Sequence, residues 1–211
     1  MDACAKDMPQ SWWEIPRIAV GERSFEAAEQ LERILTQMWH FQLKSFLHLP
    51  FMLRVATEPR YEYNRLSALS ASREVMLRYS ALHEASNTQL CCRIAGFAAF
   101  IATVTIVLDF LDTSSYHHKT DVHQQDEADK NLVQQIVDAM ESLSRSSREK
   151  IAAQSVKVIK TLLTTQSTSG PAAENLRLIL PFFGTIYISR VCHLTTHQTQ
   201  TRLLPPRCQP I

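Results

Sequence analysis

Residues Leu90–Leu111 read LCCRIAGFAAFIATVTIVLDFL, and this stretch decides the fold because it is apolar almost all round. A helix without a polar face has to be enclosed by neighbouring elements. The β-branched residues between Ile101 and Val107 would also fit a strand, but the length of the stretch favours a helix. We therefore predict a buried central helix, around which the other elements pack.

A membrane span is the competing interpretation of the same stretch. Ile94–Leu108 carries no charge and lies between Arg93 and Asp109. At fifteen residues it is shorter than the run of about 20 apolar residues that a spanning helix needs, and Thr103 and Thr105 dilute it further. We expect a core helix and no membrane partner.

Two amphipathic helices are predicted before this stretch. Ser24 precedes apolar residues three or four positions apart, so we expect Ser24 to cap a helix that Pro50 ends or kinks near Leu49. A second helix is expected over Tyr63–Glu84. The apolar positions are Phe25, Ala28, Leu31, Leu35, Met38 and Phe46 in the first helix, and Leu66, Leu69, Met76, Leu77 and Ala81, with Arg73, in the second.

Two more helices are predicted after the central stretch. The fourth buries Leu132, Val133, Ile136, Val137 and Met140. Ser146 and Glu149 form an S-x-x-E pattern, which is typical of a helix start, just before the apolar positions of the fifth helix. Those positions are Ile151, Ser155, Val158, Ile159 and Leu162.

The remaining segments complete the predicted domain organisation. Residues 1–23 read as an irregular segment in which Trp12 and Trp13 dock on the domain, and 112–127 as a polar loop. Alternating apolar residues over Asn175–Arg190 predict a small β-hairpin, and the Thr-, Gln- and Pro-rich residues 191–211 predict a disordered tail. The predicted fold class is mainly α: a single helical domain over 24–190, built around a buried central helix, with a small C-terminal hairpin.

Composition excludes several classes of function. The formal charge is +1, from 22 basic and 21 acidic side chains, which is too balanced for a domain that neutralises a polyanion. The sequence has only four glycines, which argues against a glycine-rich loop that binds phosphate. The five cysteines form no C-x-x-C pair, which argues against a zinc ribbon and a dithiol redox motif. No basic segment leads into an apolar run at the start, so no signal peptide is expected.

Three groups of residues are candidate sites. The densest group of metal-ligand residue types is His117, His118, Asp121, His123 and Asp126. It lacks the H-x-x-x-H spacing of a helical metal site, so a solvated loop is favoured. Cys91 and Cys92 adjoin Arg93, which can activate a thiol, but buried structural cysteines are favoured.

The third group mixes basic and aromatic side chains, as binders of single-stranded nucleic acid do. It consists of Arg54, Arg60, Tyr61, Tyr63 and Arg65. Glu58 and Glu62 interrupt it, so arginine stems lying along an apolar surface are favoured. No nucleophile elbow is present. We therefore assign no catalytic, cofactor-binding or metal-binding residue, and no cofactor.

Several long stretches resemble the C-terminal regulatory region of fungal zinc-cluster transcription factors. They are HFQLKSFLHLPFMLR, YEYNRLSALSASREVMLRY and CCRIAGFAAFIATVTIVLDFL, followed in the same order by MESLS, IAAQSVKVIKTLL and LRLILPFFGTIYISR. The resemblance covers roughly Phe25–Arg190. In that family such regions follow a six-cysteine module that holds two zinc ions and binds DNA, and these 211 residues contain no such cysteine pattern.

The resemblance implies a nuclear, non-catalytic regulatory module that acts through protein partners, self-association or a small-molecule effector. It implies contact with DNA only through a zinc-cluster module that is absent from this sequence. The sequence is expected to be a fragment of a longer gene product or a truncated paralogue. The alternatives from the residues alone are a small-molecule-binding helical domain, an enzyme whose site forms only in three dimensions, and a membrane-associated protein.

Overall fold

The structure, a computed structural model, describes residues 5–18, 24–85, 93–112, 122–147, 150–167, 176–180 and 184–188. These residues form six α-helices, a 3-10 turn and two strands. The helices are α1 (Gln10–Trp13), α2 (Phe25–Met52), α3 (Glu62–Ala85), α4 (Arg93–Asp112), α5 (Val122–Ser147) and α6 (Lys150–Ser167). The 3-10 turn is Pro59–Tyr61, and the strands are β1 (Leu176–Leu180) and β2 (Gly184–Ile188).

The chain divides into two compact units, Met1–Ser169 and Gly170–Ile211. The described residues are mainly helical, but the predicted fold class, a single domain that includes a hairpin, is wrong. In the described part of the first unit every regular element is a helix and no β-strand occurs. β1 and β2 pair antiparallel, with Leu178 opposite Ile186, and lie in the second unit. Alternation of apolar residues indicates only the local backbone conformation. It could not show whether the strands belong to the same compact unit as the helices.

The ends of α2 follow from its capping chemistry. The Ser24 hydroxyl accepts a hydrogen bond from the Ala27 backbone N–H at 3.0 Å, which confirms the predicted cap. At the other end the helix continues to Met52, three residues beyond Leu49, near which Pro50 was predicted to end or kink it. Pro50 lies in the last turn, so only two further helical residues follow the bond that its missing N–H removes. The Leu53 N–H closes that turn on the Leu49 carbonyl at 3.1 Å.

α2 and α3 pack antiparallel, and small or polar side chains lie between them. Contacts pair later residues of α2 with earlier residues of α3: His48 Nδ1 lies 2.9 Å from Asn64 Oδ1, and Ser45 Oγ lies 3.0 Å from Ser72 Oγ. Ser45 and Ser72 are both buried. Because each hydroxyl has the other as partner, the close approach leaves these two oxygens satisfied.

The predicted apolar face of α3 is partly wrong. Leu69 and Met76 are buried as expected, but Leu66 and Leu77 are exposed. The buried positions are instead Ala68, Leu69, Ala71, Ser72, Val75, Met76, Arg78, Tyr79 and Leu82. The cause is that α3 contacts α2, α4 and α5. Small residues of α3 therefore lie at close range against the neighbouring helices. The size of the apolar side chains alone could not identify which side of α3 packs.

The predicted central helix is confirmed. α4 contacts α2, α3, α5 and α6, and it is buried along most of its length. The Thr103 and Thr105 hydroxyls donate to the Ala99 and Ile101 carbonyls at 2.8 and 2.9 Å, so their burial leaves no hydroxyl unbonded. By length and composition, Ile94–Leu111 could cross a membrane, but 72% of this window is buried inside the protein. Its environment is that of a core helix.

α5 and α6 complete the helical unit, and α5 starts earlier than predicted. It begins at Val122, inside the predicted loop 112–127. The early residues are polar but favour helix, and Gln125 donates to Asp129 one turn later at 3.1 Å. Val133, Ile136, Val137 and Met140 are buried as predicted. Ser146 belongs to α5 and Glu149 lies outside the described residues, so the predicted capping box remains a prediction.

Candidate functional site

Much of the predicted metal-ligand group lies outside the described residues. His117, His118 and Asp121 are not described, whereas His123 and Asp126 lie at the start of α5. Among the described residues no three His, Cys, Asp or Glu side chains are arranged to hold a metal ion. Cys91 and Cys92 also lie outside the described residues, so their predicted structural role stays a prediction.

The basic and aromatic patch is largely neutralised by neighbouring carboxylates. Arg60 pairs with Glu58, and its guanidinium lies 4.9 Å from the centre of the Tyr61 ring. Arg65 pairs with Glu62 at 2.8 Å and reaches Asp109 on α4. Since these two cations already have anionic partners, the patch is poorly suited to holding a phosphate backbone. Arg54 remains exposed.

Two bidentate arginine–carboxylate ion pairs join α3 to its neighbouring helices. Arg65 Nε and Nη2 donate to Asp109 at 2.5 and 2.8 Å, and Arg73 Nε and Nη2 donate to Asp129 on α5 at 2.7 Å each. Burial by itself would lower the pKa of Arg65, but the hydrogen bonds and charge of Asp109, joined by Glu62, raise it above the ordinary value. These pairs fix helix positions, because a planar guanidinium holds a carboxylate in one orientation.

Arg78 is the most deeply buried charge among the described residues. Its Nε donates to Gln37 Oε1 at 2.8 Å, its Nη2 donates to the Trp13 carbonyl at 2.8 Å, and its Nη1 pairs with Glu74. The guanidinium also lies 4.5 Å from the centre of the Phe41 ring, in cation–π geometry. One side chain of α3 therefore connects α2 with the segment that precedes it.

Arg33 and Gln37 on α2 hold the same preceding segment. Arg33 Nε donates to the Trp12 carbonyl at 2.8 Å, and Arg33 Nη2 donates to the Glu14 carbonyl at 3.0 Å and to that of Ser11. The Gln37 amide also donates to Trp12. We call Arg33, Gln37 and Arg78 the N-terminal anchor, because together they bind the carbonyls of residues 11–14. A helix as short as α1 leaves these carbonyls without intrahelical partners.

The Trp13 ring contributes the apolar part of this docking. Its centre lies 4.8 Å from that of His40 and 5.5 Å from that of Phe41, both on α2. The predicted docking of Trp13 is confirmed, whereas the segment is not wholly irregular, since Gln10–Trp13 form α1. The anchor itself was missed by the sequence prediction. Of its three members, Arg78 lies in a helix for which a packed face was predicted, and that predicted face did not include it.

The docked segment borders an open cavity of about 520 Å³. The lining residues are Pro9, Ser11, Trp12, Glu14, Ile15, Pro16, Arg17 and Arg33. Arg33 already binds three backbone carbonyls, so Glu14 and Arg17 are the charges left to meet a ligand. Among these lining residues no side-chain hydrogen bond joins a nucleophile to a base.

A second surface feature lies on α2, where four large apolar side chains face solvent. Trp39, Leu43, Leu47 and Phe51 follow one another at intervals of four residues. We call this set the Trp39–Phe51 stripe. The sequence carried the signal, because α2 has more apolar residues than one packed face needs, but the pattern alone could not show which of them would be covered.

The described helices thus form a domain in which arginine–carboxylate pairs join neighbouring helices. Its surface carries a cavity and the Trp39–Phe51 stripe, both of which suit binding. The chain is similar over most of its length to part of several fungal transcription regulators. It is 28% identical over 214 residues to the dehydrocurvularin biosynthesis regulator of Aspergillus terreus, covering 90% of this chain and 29% of that protein. It is 26% identical to transcription factor sdnS of Sordaria araneosa and 27% identical to probable transcription factor gsfR1 of Penicillium aethiopicum, over 88% of this chain in both cases.

The predicted resemblance to fungal transcription regulators is thereby confirmed. The chain spans 26% of the length of sdnS and 28% of that of gsfR1, so it corresponds to a fraction of each relative. No family model matches the chain, and no solved structure matches it.

Proposed function

We propose that this chain is a non-catalytic regulatory module of a fungal transcription regulator and that it acts through protein contacts in the nucleus. The observation that carries the proposal is the similarity to named regulators over 81–90% of the chain. The structure supports it in two ways. The ion pairs of α3 with Asp109 and Asp129 serve to hold helices together, and a row of apolar side chains is exposed.

DNA reading is not part of this proposed role. The charge of these 211 residues is nearly balanced, and two arginines of the basic and aromatic patch already pair with carboxylates. We expect the purified chain to show no sequence-dependent retardation of promoter DNA in a gel-shift assay. Saturable retardation that changes with the promoter sequence would assign DNA recognition to these residues instead.

A tethering assay tests the regulatory role directly. The chain is fused to a heterologous DNA-binding domain in a fungal host that carries a reporter gene behind the matching operator. We expect the fusion to change reporter output roughly fivefold or more relative to the DNA-binding domain alone, which corresponds to about 1 kcal/mol of recruitment free energy. Immunoblots and nuclear staining establish that both proteins are present at equal levels.

An Ile101→Asp fusion serves as the unfolded control, because a carboxylate at this buried position of the central helix would have no partner. This control should lose the effect on the reporter. An unchanged reporter with the wild-type fusion, despite equal nuclear levels, would contradict the regulatory role.

A small-molecule effector is the second candidate, and the cavity beside the N-terminal anchor favours it. Its volume of about 520 Å³ lies in the range of ligand pockets, about 300–1,000 Å³. A thermal-shift screen of metabolites tests this role, since a ligand in large excess over its Kd stabilises the folded chain by a few kcal/mol. A hit should lose its effect in an Arg17→Gln variant. A metabolite that stabilises this variant as much as it stabilises the wild-type chain would bind outside the cavity.

A further inference from the structure

The segment before α2 is held largely through its backbone. The carbonyls of residues 11–14 all accept hydrogen bonds from the N-terminal anchor. Every residue has a carbonyl, so this part of the recognition depends on the fold of the segment and not on its side chains. Trp13 adds a side-chain contact, since its ring lies against His40 and Phe41 of α2. The contact therefore has the chemistry of a bound peptide.

The same segment also contains hydrogen bonds of its own. We call residues 5–14 the N-terminal strap. Within the strap the Trp13 indole donates to the Ala5 carbonyl at 3.3 Å, and the Trp12 backbone N–H donates to the Pro9 carbonyl at 2.9 Å. The Trp12 and Trp13 rings meet edge to face, with their centres 4.7 Å apart. None of these contacts involves α2 or α3, so release of the strap from the anchor does not break them.

Release of the strap requires little loss of apolar burial. No residue of α1 is buried, and Trp12 and Trp13 are each half-buried. The carbonyls of the strap exchange their protein donors for water when it leaves. Segments with few buried apolar contacts open with a free energy below that of global unfolding. We therefore expect the strap to open while the long helices stay packed.

The anchor stays organised when the strap is absent. Arg78 is held from within the helical unit, because its Nε donates to Gln37 at 2.8 Å, its Nη1 pairs with Glu74, and the Phe41 ring lies over its guanidinium. Its Nη2 is the group that donates to the Trp13 carbonyl. Release of the strap thus leaves a preformed site, and preformed sites bind more tightly because less ordering has to occur.

We propose that the N-terminal anchor, together with His40 and Phe41, is a peptide-binding site that the strap fills within the chain and that a segment of a partner protein fills after strap release. The partner segment that fits is a short helical turn that contains tryptophan and ends in carbonyls without intrahelical partners. This inference rests on the proposed regulatory function and deepens it, because it names a site and the chemistry of the protein contact.

A second copy of this chain has nothing to gain as the occupant. Exchange of straps between two copies replaces each contact by an identical one and costs the translational freedom of one chain. A partner segment gives up no such site of its own. It has to exceed only the strap, whose tether keeps it at an effective concentration on the order of millimolar.

The test uses the full 211-residue chain and a peptide with the sequence of residues 5–18, which carries a fluorescent label at its C-terminus. The peptide stands for the partner segment, and fluorescence anisotropy gives its Kd. Trp13→Ala in the chain weakens the tethered competitor. We expect this chain to bind the peptide about tenfold or more tightly than the wild-type chain does. A peptide that itself carries Trp13→Ala should bind about tenfold or more weakly.

Matched substitutions in the Trp13→Ala chain locate the binding. Arg33→Met removes the donor to three carbonyls and should weaken peptide binding about tenfold or more. Arg145→Met is the control, because Arg145 is exposed on α5 and should leave the Kd unchanged. Cooperative thermal unfolding of each chain confirms that it is folded. The peptide variant adds a comparison in which the chain itself is unchanged.

Three results would overturn the proposal. The first is equal affinity of the wild-type and Trp13→Ala chains for the peptide, including no binding to either, and the second is binding that Arg33→Met retains. The third is a wild-type dimer in sedimentation velocity that Trp13→Ala dissociates, since the strap of a second copy would then be the occupant. The tethered reporter separates the two hypotheses: an active wild-type fusion together with a failed peptide test removes only the peptide site, whereas an inactive fusion removes the regulatory role.

Discussion

Arg78 shows how this domain accommodates a buried cation. Burial lowers the pKa of Arg78, and the hydrogen bond and charge of Glu74 oppose that shift. An arginine stays protonated in a protein at neutral pH, so the guanidinium needs partners for its N–H groups. Gln37, Glu74 and the Trp13 carbonyl provide them, and the face of Phe41 covers the cation.

We predict that Arg78→Met lowers the free energy of unfolding by about 2–3 kcal/mol. The replacement fills most of the space but leaves Gln37 and the Trp13 carbonyl without a charged donor, and hydrogen bonds to charged groups contribute about 1.5–3 kcal/mol each. Urea unfolding measures the change. Arg145→Met is the control: Arg145 is exposed and lies 3.9 Å from Glu141, so its loss should change stability by about 0.5 kcal/mol or less. Equal effects of the two variants would show that the anchor is not stabilising.

His83 gives the domain a pH dependence of stability. Burial lowers the pKa of His83 below its ordinary value of 6.5, and Glu84 opposes this only partly. Its Nδ1 is buried and has no hydrogen-bond partner within the described residues. Because the unfolded chain then binds a proton more readily than the folded one, protonation of His83 favours unfolding.

The predicted outcome is that the wild-type chain loses more stability than a His83→Gln variant when the pH falls from about 8 to about 5. The loss begins as the pH drops through the ordinary pKa near 6.5 and is complete below the lowered value. Urea unfolding at several pH values gives both curves, and their difference isolates His83 from the other titrating groups. Parallel curves would show that this side chain is solvated in the folded protein.

At the scale of elements, α3 organises the helical unit. It packs on α2 through serines and on α4 and α5 through Arg65 and Arg73. The sequence indicated the helix itself within one residue at each end, since Tyr63–Glu84 was predicted and Glu62–Ala85 is found. It did not indicate the packed face, because a helix with three neighbours buries small and polar residues that an apolar pattern overlooks.

The Arg73–Asp129 pair should show strong coupling between the two side chains. Arg73→Ala leaves the carboxylate of Asp129, which is 4% exposed, without its cation. We expect it to cost about 2–3 kcal/mol, somewhat below the figure for a fully buried pair because Arg73 is partly exposed. The double variant Arg73→Leu/Asp129→Leu should be less destabilised than Arg73→Ala. A double variant that is destabilised at least as much as Arg73→Ala in urea unfolding would mean that the two groups do not interact.

At the scale of the whole molecule, α4 is the element on which the other long helices pack. Four helices contact it, and Ile101, Val104 and Val107 are fully buried among them. This explains why a stretch apolar enough to cross a membrane lies instead in a protein core. Its apolar surface packs against α2, α3, α5 and α6 rather than against lipid.

We predict that Ile101→Ala lowers the free energy of unfolding by about 3 kcal/mol, through lost burial and the cavity left behind. Ile94→Ala is the matched control in the same helix, since Ile94 is 53% exposed, and it should cost about 1 kcal/mol or less. Thermal or urea unfolding followed by circular dichroism compares the two. If Ile94 proved as sensitive as Ile101, α4 would have to be covered at its start as well.

The sequence by itself determined the existence of the five long helices and the central position of α4, because the length and apolar circumference of a segment are local properties that force burial. It also determined the kinship with fungal transcription regulators, through patterns that run along most of the chain. The tertiary structure alone decided which faces pack, which side chains meet Arg78, and that Trp39, Leu43, Leu47 and Phe51 stay exposed. It also assigned the two strands to a second compact unit. These features depend on contacts between residues distant in sequence, and periodicity within one helix carries no information about which neighbour covers which side.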